Sequence, residues 1–137
     1  MNNNPALSIC ITTLNRADLL EEMIKCVIEQ QNGEIELVIQ NGGCSDNTDS
    51  LMSTYSRDYE FIKYVNPERG MGLDEGYHMA LQHASGKYCW CMPDDDFLTP
   101  NALSLILQHL QENPDLLIVN LRCFTKDLKQ DLGTDLI

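Results

Sequence analysis

Three adjacent carboxylates, Asp94, Asp95 and Asp96, follow the aromatic and cysteine-rich run KYCWCMP, whose composition is typical of a buried strand. Two carboxylates about 5 to 6 Å apart repel by about 3 kcal/mol at an effective dielectric constant near 20, and by less than about 1 kcal/mol in open water. We call these residues the acidic triplet. Two environments are compatible with it: a freely solvated turn that caps the next helix, or a site where a cation offsets the repulsion.

The second environment has a specific chemistry. Carboxylate oxygens are the ligands that Mg²⁺ and Mn²⁺ prefer, and substrate phosphates commonly complete the shell of such an ion. Asp94 and Asp96 flank Asp95 and are the candidate metal ligands. An ion held there would bridge a diphosphate and stabilise it as a leaving group.

The elements that must position the triplet alternate regularly along the chain. Short apolar runs at 7–13, 35–40, 61–65, 88–92 and 116–124 predict five strands, and the segments between them have helical periodicity. This order predicts a three-layer α/β/α domain with a mostly parallel sheet. Sites in such sheets lie beyond the carboxyl ends of the strands, so the loops TTLNR, NGGCSDNT, NPERGMG and PDDD should converge at one edge.

Composition limits the class of partner. The 137 residues fit one domain, and the net charge of −12 argues against nucleic acid or an anionic membrane as a partner of this segment. No window is apolar enough for a transmembrane helix, and the start has neither a basic region nor a cleavable apolar stretch. We expect a cytoplasmic protein with reduced thiols, in which Cys89 and Cys91 are small buried residues of the fourth strand.

The segments SICITTLNRADLLEEMIKCV, NGGCSDNT, RGMG and ASGKYCWCMPDDDFLTPNAL resemble successive motifs of the family-2 glycosyltransferases with a GT-A fold. The stretch YCWCMPDDD is similar to the abequosyltransferase-like branch of that family. The resemblance covers residues 6–124 and implies a Rossmann-like half that binds a nucleotide-diphospho-sugar. The implied reaction is transfer of the sugar to an acceptor hydroxyl, typically with inversion, in polysaccharide biosynthesis.

The resemblance also implies roles for individual residues. The acidic triplet matches the D-x-D motif of the family, with Asp96 the most direct ligand of Mg²⁺ or Mn²⁺ and Asp94 nearer the ribose. Asn41 stands where the family usually has an aspartate that reads the base or ribose, and Leu14 stands where an aromatic residue is common. The remaining donor-binding candidates line the base and ribose or border the nucleotide pocket: Thr12, Thr13, Asn15, Arg69, Gly72 and Asp95. Asn15 is also a candidate cap of the first helix.

In the family the catalytic base lies well downstream of the D-x-D motif, and no residue of this sequence matches its position. The expectation is therefore that residues 1–137 are the donor-binding half of a longer enzyme, which in full would act on a glycan or lipid-linked saccharide at the inner face of a membrane. A non-catalytic module that binds nucleotide or metal remains an alternative. A flavodoxin-like or receiver domain is a weaker one, because those folds carry an acid pair after the first strand, where this chain has TTLNR.

Overall fold

The computed structural model describes residues 4–125 and 127–133. Strands and helices alternate through most of this chain, as the sequence predicts. None of the helices in the described segments is long and apolar enough to cross a lipid bilayer. In chain order the elements are β1 (Leu7–Thr13), α1 (Ala17–Gln30), β2 (Ile35–Asn41), α2 (Thr48–Asp58), β3 (Ile62–Val65), α3 (Leu73–His83), β4 (Tyr88–Cys91), α4 (Ala102–Leu110), β5 (Cys123–Phe124) and β6 (Asp131–Gly133).

The main sheet has four parallel strands in the order β3-β2-β1-β4. The central strands β1 and β2 pair over seven residues, from Leu7 opposite Ile35 to Thr13 opposite Asn41. Nearly every residue of these two strands is buried, because helices cover both faces of the sheet at this point. All four strands therefore end at the same edge, and the predicted α/β architecture is confirmed.

The two faces of the sheet are covered unequally. On one face α1, α2 and α4 pack on alternate residues of β1 and β2, forming a core that includes Ile9, Leu20 and Leu107. On the other face, α3 is the one helix of the described segments that packs on the sheet, and its Ala80 contacts Cys10 and Val38. The second face is therefore thin, and its cover does not extend evenly to the edge strands.

A buried carboxylate joins this thin face to the chain between α3 and β4. The side chain of Glu36 is 6% exposed, forms an ion pair with Lys63, and accepts hydrogen bonds of 2.6 Å from the hydroxyls of Ser8 and Ser85. Burial alone would raise the pKa of Glu36, but the hydrogen bonds from Lys63, Ser8 and Ser85 outweigh it and lower that pKa to about 2.

The prediction of a fifth strand over 116–124 is wrong for most of that segment. Only Cys123–Phe124 is a strand, and it pairs antiparallel with β6 outside the main sheet. Leu116 and Ile118 are 75% and 73% exposed. A strand added beside β4 would need cover on both faces, and α3 contacts chiefly β1 and β2, so that cover is missing.

The same open face explains a second error in the sequence interpretation. Cys89 and Cys91 are exposed rather than buried, although both belong to β4. Trp90, which points the opposite way, packs against the core that includes Ile9 and Leu20. Periodicity identified the strand correctly, but it carries no information about which face of an edge strand is covered.

Candidate functional site

The acidic triplet lies at the carboxyl edge of the sheet because of the strand register. Strand β4 ends at Cys91, which pairs with Cys10, whereas β1 continues for three more residues to Thr13. Counting on from that register, Asp94 comes opposite Thr13, and the Thr13 hydroxyl donates a 2.8 Å hydrogen bond to Asp94 Oδ2. The prediction that the triplet shares an edge with the first loop is confirmed.

A cationic side chain also contacts the triplet. Arg16 Nη1 lies 3.0 Å from Asp94 Oδ1 and 3.1 Å from Asp95 Oδ2, so that one nitrogen bridges two carboxylates. The Asp94 side chain is only 6% exposed, whereas those of Arg16 and Asp95 are about half exposed. Both oxygens of Asp94 thus have partners from the first loop, and the buried charge is compensated.

Asp96 is in a different situation. Within the described segments its carboxylate has no ion-pair partner. Although the residue lies at the surface, the surrounding loop reduces its contact with water, which raises the pKa of Asp96, and the charge of Asp95 adds to the rise. The triplet therefore retains a carboxylate whose ionised form a cation would stabilise.

No three His, Cys, Asp or Glu side chains in the described part of the chain converge into a ready-made metal centre. This arrangement fits the way in which Mg²⁺ and Mn²⁺ are commonly bound with phosphates: one or two carboxylates, several waters and the phosphate oxygens themselves. Asp96 and the free oxygen of Asp95 could supply such carboxylates. Asp94 could do so while keeping its bond to Thr13, because each carboxylate oxygen can accept more than one bond.

The loops after β1 and β2 are joined through Asn15 and Asp46. Asn15 has a positive φ of 54° and accepts a 2.7 Å hydrogen bond from the Ser45 backbone N–H. The sequence analysis named Asn15 as a candidate cap of α1, and this prediction is wrong. The backbone N–H of Ala17, at the start of α1, donates instead to Asp46 Oδ2 at 3.1 Å. Asp46 also accepts from the backbone N–H and hydroxyl of Thr48 at the start of α2, so one carboxylate orders two helix starts.

Asn41, at the end of β2, is 2% exposed and uses its whole amide within the protein. Its Oδ1 accepts from the backbone N–H groups of Gly43 and Cys44 at 2.8 and 2.7 Å. Its Nδ2 donates to Asp49 Oδ1 at 3.0 Å and to the Tyr64 hydroxyl at 2.8 Å. These four bonds saturate the amide, which organises the loop and leaves none of its groups free for a base.

The loop after β3 packs closely on the loop after β2. Gly43 has φ +106°, and a Cβ added there would lie 2.8 Å from the Gly70 Cα, so both the backbone angle and the contact require glycine. Arg69 forms an ion pair with Glu75 on the first turn of α3. Gly72 is the N-cap residue of α3, with open space where a side chain would begin.

Beneath this edge, Thr12 takes part in a buried contact between the sheet and α3. Its hydroxyl donates to Gln40 Oε1 at 2.5 Å, and Gly76 of α3 lies directly above this pair. A Cβ on Gly76 would approach both oxygens to 2.5 Å. Close packing of α3 on the sheet therefore requires glycine at position 76, and Thr12 supports the rim from inside the protein.

Two residues at the rim had no role in the sequence interpretation. Arg16 is the first basic residue of a strongly acidic chain and the last residue of the first loop, which is a signal that sequence reasoning could have used. Tyr77 donates from its hydroxyl to the Met92 carbonyl at 3.0 Å, just before the triplet. Burial raises the pKa of Tyr77, and the neighbouring Cys91 and triplet charges add to that effect. Nothing in the sequence indicates the Tyr77 contact.

Comparison with known proteins gives a consistent result. The profile of glycosyl transferase family 2 matches residues 8–135. Abequosyltransferase RfbV of Salmonella typhimurium is 27% identical over 96% of this chain and 38% of its own length. The GalNAc(5)-diNAcBac-PP-undecaprenol beta-1,3-glucosyltransferase of Campylobacter jejuni is 33% identical over 79% of this chain and 35% of its own length. The chain thus spans a little over a third of either relative.

Solved structures agree on the fold. A mannosyltransferase from Pyrobaculum calidifontis, in complex with GDP-Man and Mn²⁺, matches 80% of this chain and 33% of its own chain with a TM-score of 0.69 and 21% identity. Residues 1–349 of S. aureus TarS, in complex with UDP-GlcNAc, match 77% of this chain and 31% of their own chain with a TM-score of 0.70 and 20% identity. The four-stranded parallel sheet and its helices are therefore a GT-A type α/β fold, and the chain belongs to glycosyl transferase family 2.

Proposed function

We propose that this chain binds a nucleoside-diphospho-sugar together with Mg²⁺ or Mn²⁺, and that it forms the donor-binding part of an enzyme that transfers the sugar to a glycan or lipid-linked acceptor. The observation that carries the proposal is the junction of Thr13 with Asp94. It joins the loop after β1 to the acidic triplet, across 81 residues of sequence, at the edge where parallel α/β sheets bind their ligands.

The donor-binding roles divide between direct and supporting residues. Asp95 and Asp96 lie exposed at the rim and are suited to contact the cation, whereas the half-exposed guanidinium of Arg16 is suited to contact the diphosphate. Thr13 orients Asp94, and Asn15 orders the loop beside it. Asn41 and Thr12 have supporting roles, because their polar groups already form hydrogen bonds within the protein.

A divalent cation bound here would neutralise charge on the departing nucleoside diphosphate. Asp96 is the favoured ligand, since its carboxylate lies in a negative environment and has no cationic partner in the described segments. Arg69 is a weaker candidate for the diphosphate than the sequence suggested, because Glu75 already pairs with its guanidinium.

The acceptor class rests on the relatives. The Campylobacter jejuni protein is named for a saccharide on PP-undecaprenol, which is a lipid-linked acceptor. We propose a saccharide acceptor of this general kind, used in bacterial polysaccharide assembly.

Isothermal titration calorimetry with UDP, GDP, CDP and dTDP tests the proposal. At least one nucleotide should bind more tightly with Mn²⁺ than with EDTA. Asp96→Ala should remove the metal dependence while leaving the circular dichroism spectrum unchanged. Asp58→Ala, an exposed acidic residue at the far end of α2, is the matched control and should behave like the unsubstituted chain.

Two results would refute the proposal. One is the absence of binding for all four nucleotides at millimolar concentration in a folded protein. The other is a nucleotide affinity that is the same in Mn²⁺ and in EDTA, which would show that a cation at the acidic triplet takes no part in nucleotide binding.

A further inference from the structure

Arg16 occupies the position that a metal ion would be expected to approach. A single nitrogen of its guanidinium bridges Asp94 at 3.0 Å and Asp95 at 3.1 Å, so the side chain supplies positive charge to two of the three acidic residues. The contact spans 78 residues of sequence and connects the start of α1 to the end of β4. The triplet therefore has an internal counter-ion.

The two ion pairs of Arg16, with Asp94 and with Asp95, differ in how easily they can be broken. Asp94 is buried and keeps a hydrogen bond from Thr13 on its other oxygen, so its carboxylate stays in place without Arg16. Asp95 and Arg16 are each about half exposed, so water can replace their contact. Release of the guanidinium from Asp95 requires no change in the strands that hold the triplet.

We infer that Arg16 and the divalent cation bind the acidic triplet in alternation, with the guanidinium holding Asp94 and Asp95 until the cation displaces it from Asp95. This inference rests on the proposed function, which supplies the cation. If the guanidinium and a divalent ion were bound to the same carboxylates together, with their charges about 5 to 6 Å apart, they would repel each other. In a well-solvated site this repulsion would weaken metal binding by about tenfold, or by about threefold with salt screening, so binding in alternation is favoured.

The displaced side chain has a second partner when the donor is bound. A guanidinium can bind phosphate oxygens through two parallel hydrogen bonds, and at this position it would face a diphosphate carried by the cation. Arg16 would thus move from carboxylate to phosphate as the donor enters. By this reasoning Arg16 sets the affinity of the acidic triplet for the cation before the donor enters.

The test measures Mn²⁺ binding alone, by the electron paramagnetic resonance signal of free Mn²⁺. Arg16→Gln removes the charge but keeps a hydrogen-bond donor, and it should bind Mn²⁺ about three- to tenfold more tightly than the unsubstituted chain. Arg16→Lys keeps the charge and should stay within about twofold. Arg57→Gln, which removes an exposed arginine paired with Asp58 on α2, should have no effect. Equal or weaker Mn²⁺ binding by Arg16→Gln would overturn the inference.

A measurement on the unsubstituted protein guards against a variant that fails to fold. The Arg16 side-chain N–H resonance should shift on titration with Mg²⁺, and a resonance that stays constant while Mg²⁺ binds would also overturn the inference. The outcomes are separable from those of the proposed function. Failure of every nucleotide to bind would refute that function, whereas the alternation of Arg16 and cation is decided by the metal alone.

Discussion

Replacing Asn41 with aspartate should destabilise the protein, although aspartate is the residue that the family usually has at this position. The buried Asn41 amide donates to Asp49 Oδ1 at 3.0 Å, and the Tyr64 hydroxyl donates to the same carboxylate. An aspartate at position 41 would place two carboxylates in contact where one donor–acceptor pair now lies. With charge centres about 4 Å apart, the repulsion is about 2 to 4 kcal/mol at effective dielectric constants of 20 to 40.

The double variant Asn41→Asp/Asp49→Asn should recover most of this loss, because it exchanges the carboxylate and the amide across the same contact. Urea unfolding at pH 7, followed by circular dichroism, would give the free energy of unfolding of both single variants and of the double variant. We expect Asn41→Asp to lose about 2 to 3 kcal/mol and the double variant to lie within about 1 kcal/mol of the unsubstituted chain. If Asn41→Asp proves as stable as the starting protein, or if the double variant gives no recovery, the reasoning is refuted.

Two further predictions concern the face of the sheet that α3 covers. The pKa of Glu36 is lowered from 4.5 to about 2 in the folded protein, so the stabilisation is complete above pH 4.5 and is lost as the pH falls toward 2. Between pH 7 and pH 3 this pKa shift corresponds to a loss of about 2 kcal/mol, and urea unfolding should show about 1 kcal/mol of it, because Lys63 is partly exposed and solvent screens its charge. Glu36→Gln should abolish this pH-dependent component. Gly76→Ala should lower the free energy of unfolding by about 1 to 2 kcal/mol despite its better helix propensity, because the new methyl group would collide with Thr12 and Gln40; a more stable variant in thermal unfolding would contradict the contact.

The sequence was sufficient to predict the central sheet and the edge where the site lies. Strands β1 and β2 read as continuous apolar runs because both their faces are covered, and this pattern is characteristic of parallel sheets. Once the strands are parallel, their carboxyl ends share an edge, and the position of the acidic triplet follows without knowledge of any side-chain contact. The contact observed between Thr13 and Asp94 is a consequence of that topology.

Sequence reasoning failed where the outcome depends on what covers a segment. The run at 116–124 has the composition of a strand, yet Leu116 and Ile118 remain exposed, because composition describes what a segment can bury and not whether a partner is in place. Cys89 and Cys91 show the same limit on a strand that does form. Coverage of an edge strand is decided by helix placement, which a single sequence does not encode locally.

Roles of polar residues were harder to predict than their positions. Asn41 was correctly located at the rim, but its amide points into the loop, where four hydrogen bonds use it completely. The partner that makes this possible, Asp49, lies in the following helix and belongs to no motif. The side-chain contacts reveal this pair, which the sequence pattern does not indicate.

The three carboxylates that follow β4 differ in how far their charges are compensated within the protein. Asp94 is buried and compensated by Thr13 and Arg16, so it anchors the loop to the sheet. Asp95 shares the same arginine at the surface. Reduced contact with water, and after it the charge of Asp95, raises the pKa of Asp96. A loop that served only to cap the next helix would have no need for this gradient, since a helix start requires one acceptor and solvent disperses the rest. Under the proposed function, this gradient gives a divalent cation one carboxylate that is fixed to the sheet and another that has no ion-pair partner in the described segments.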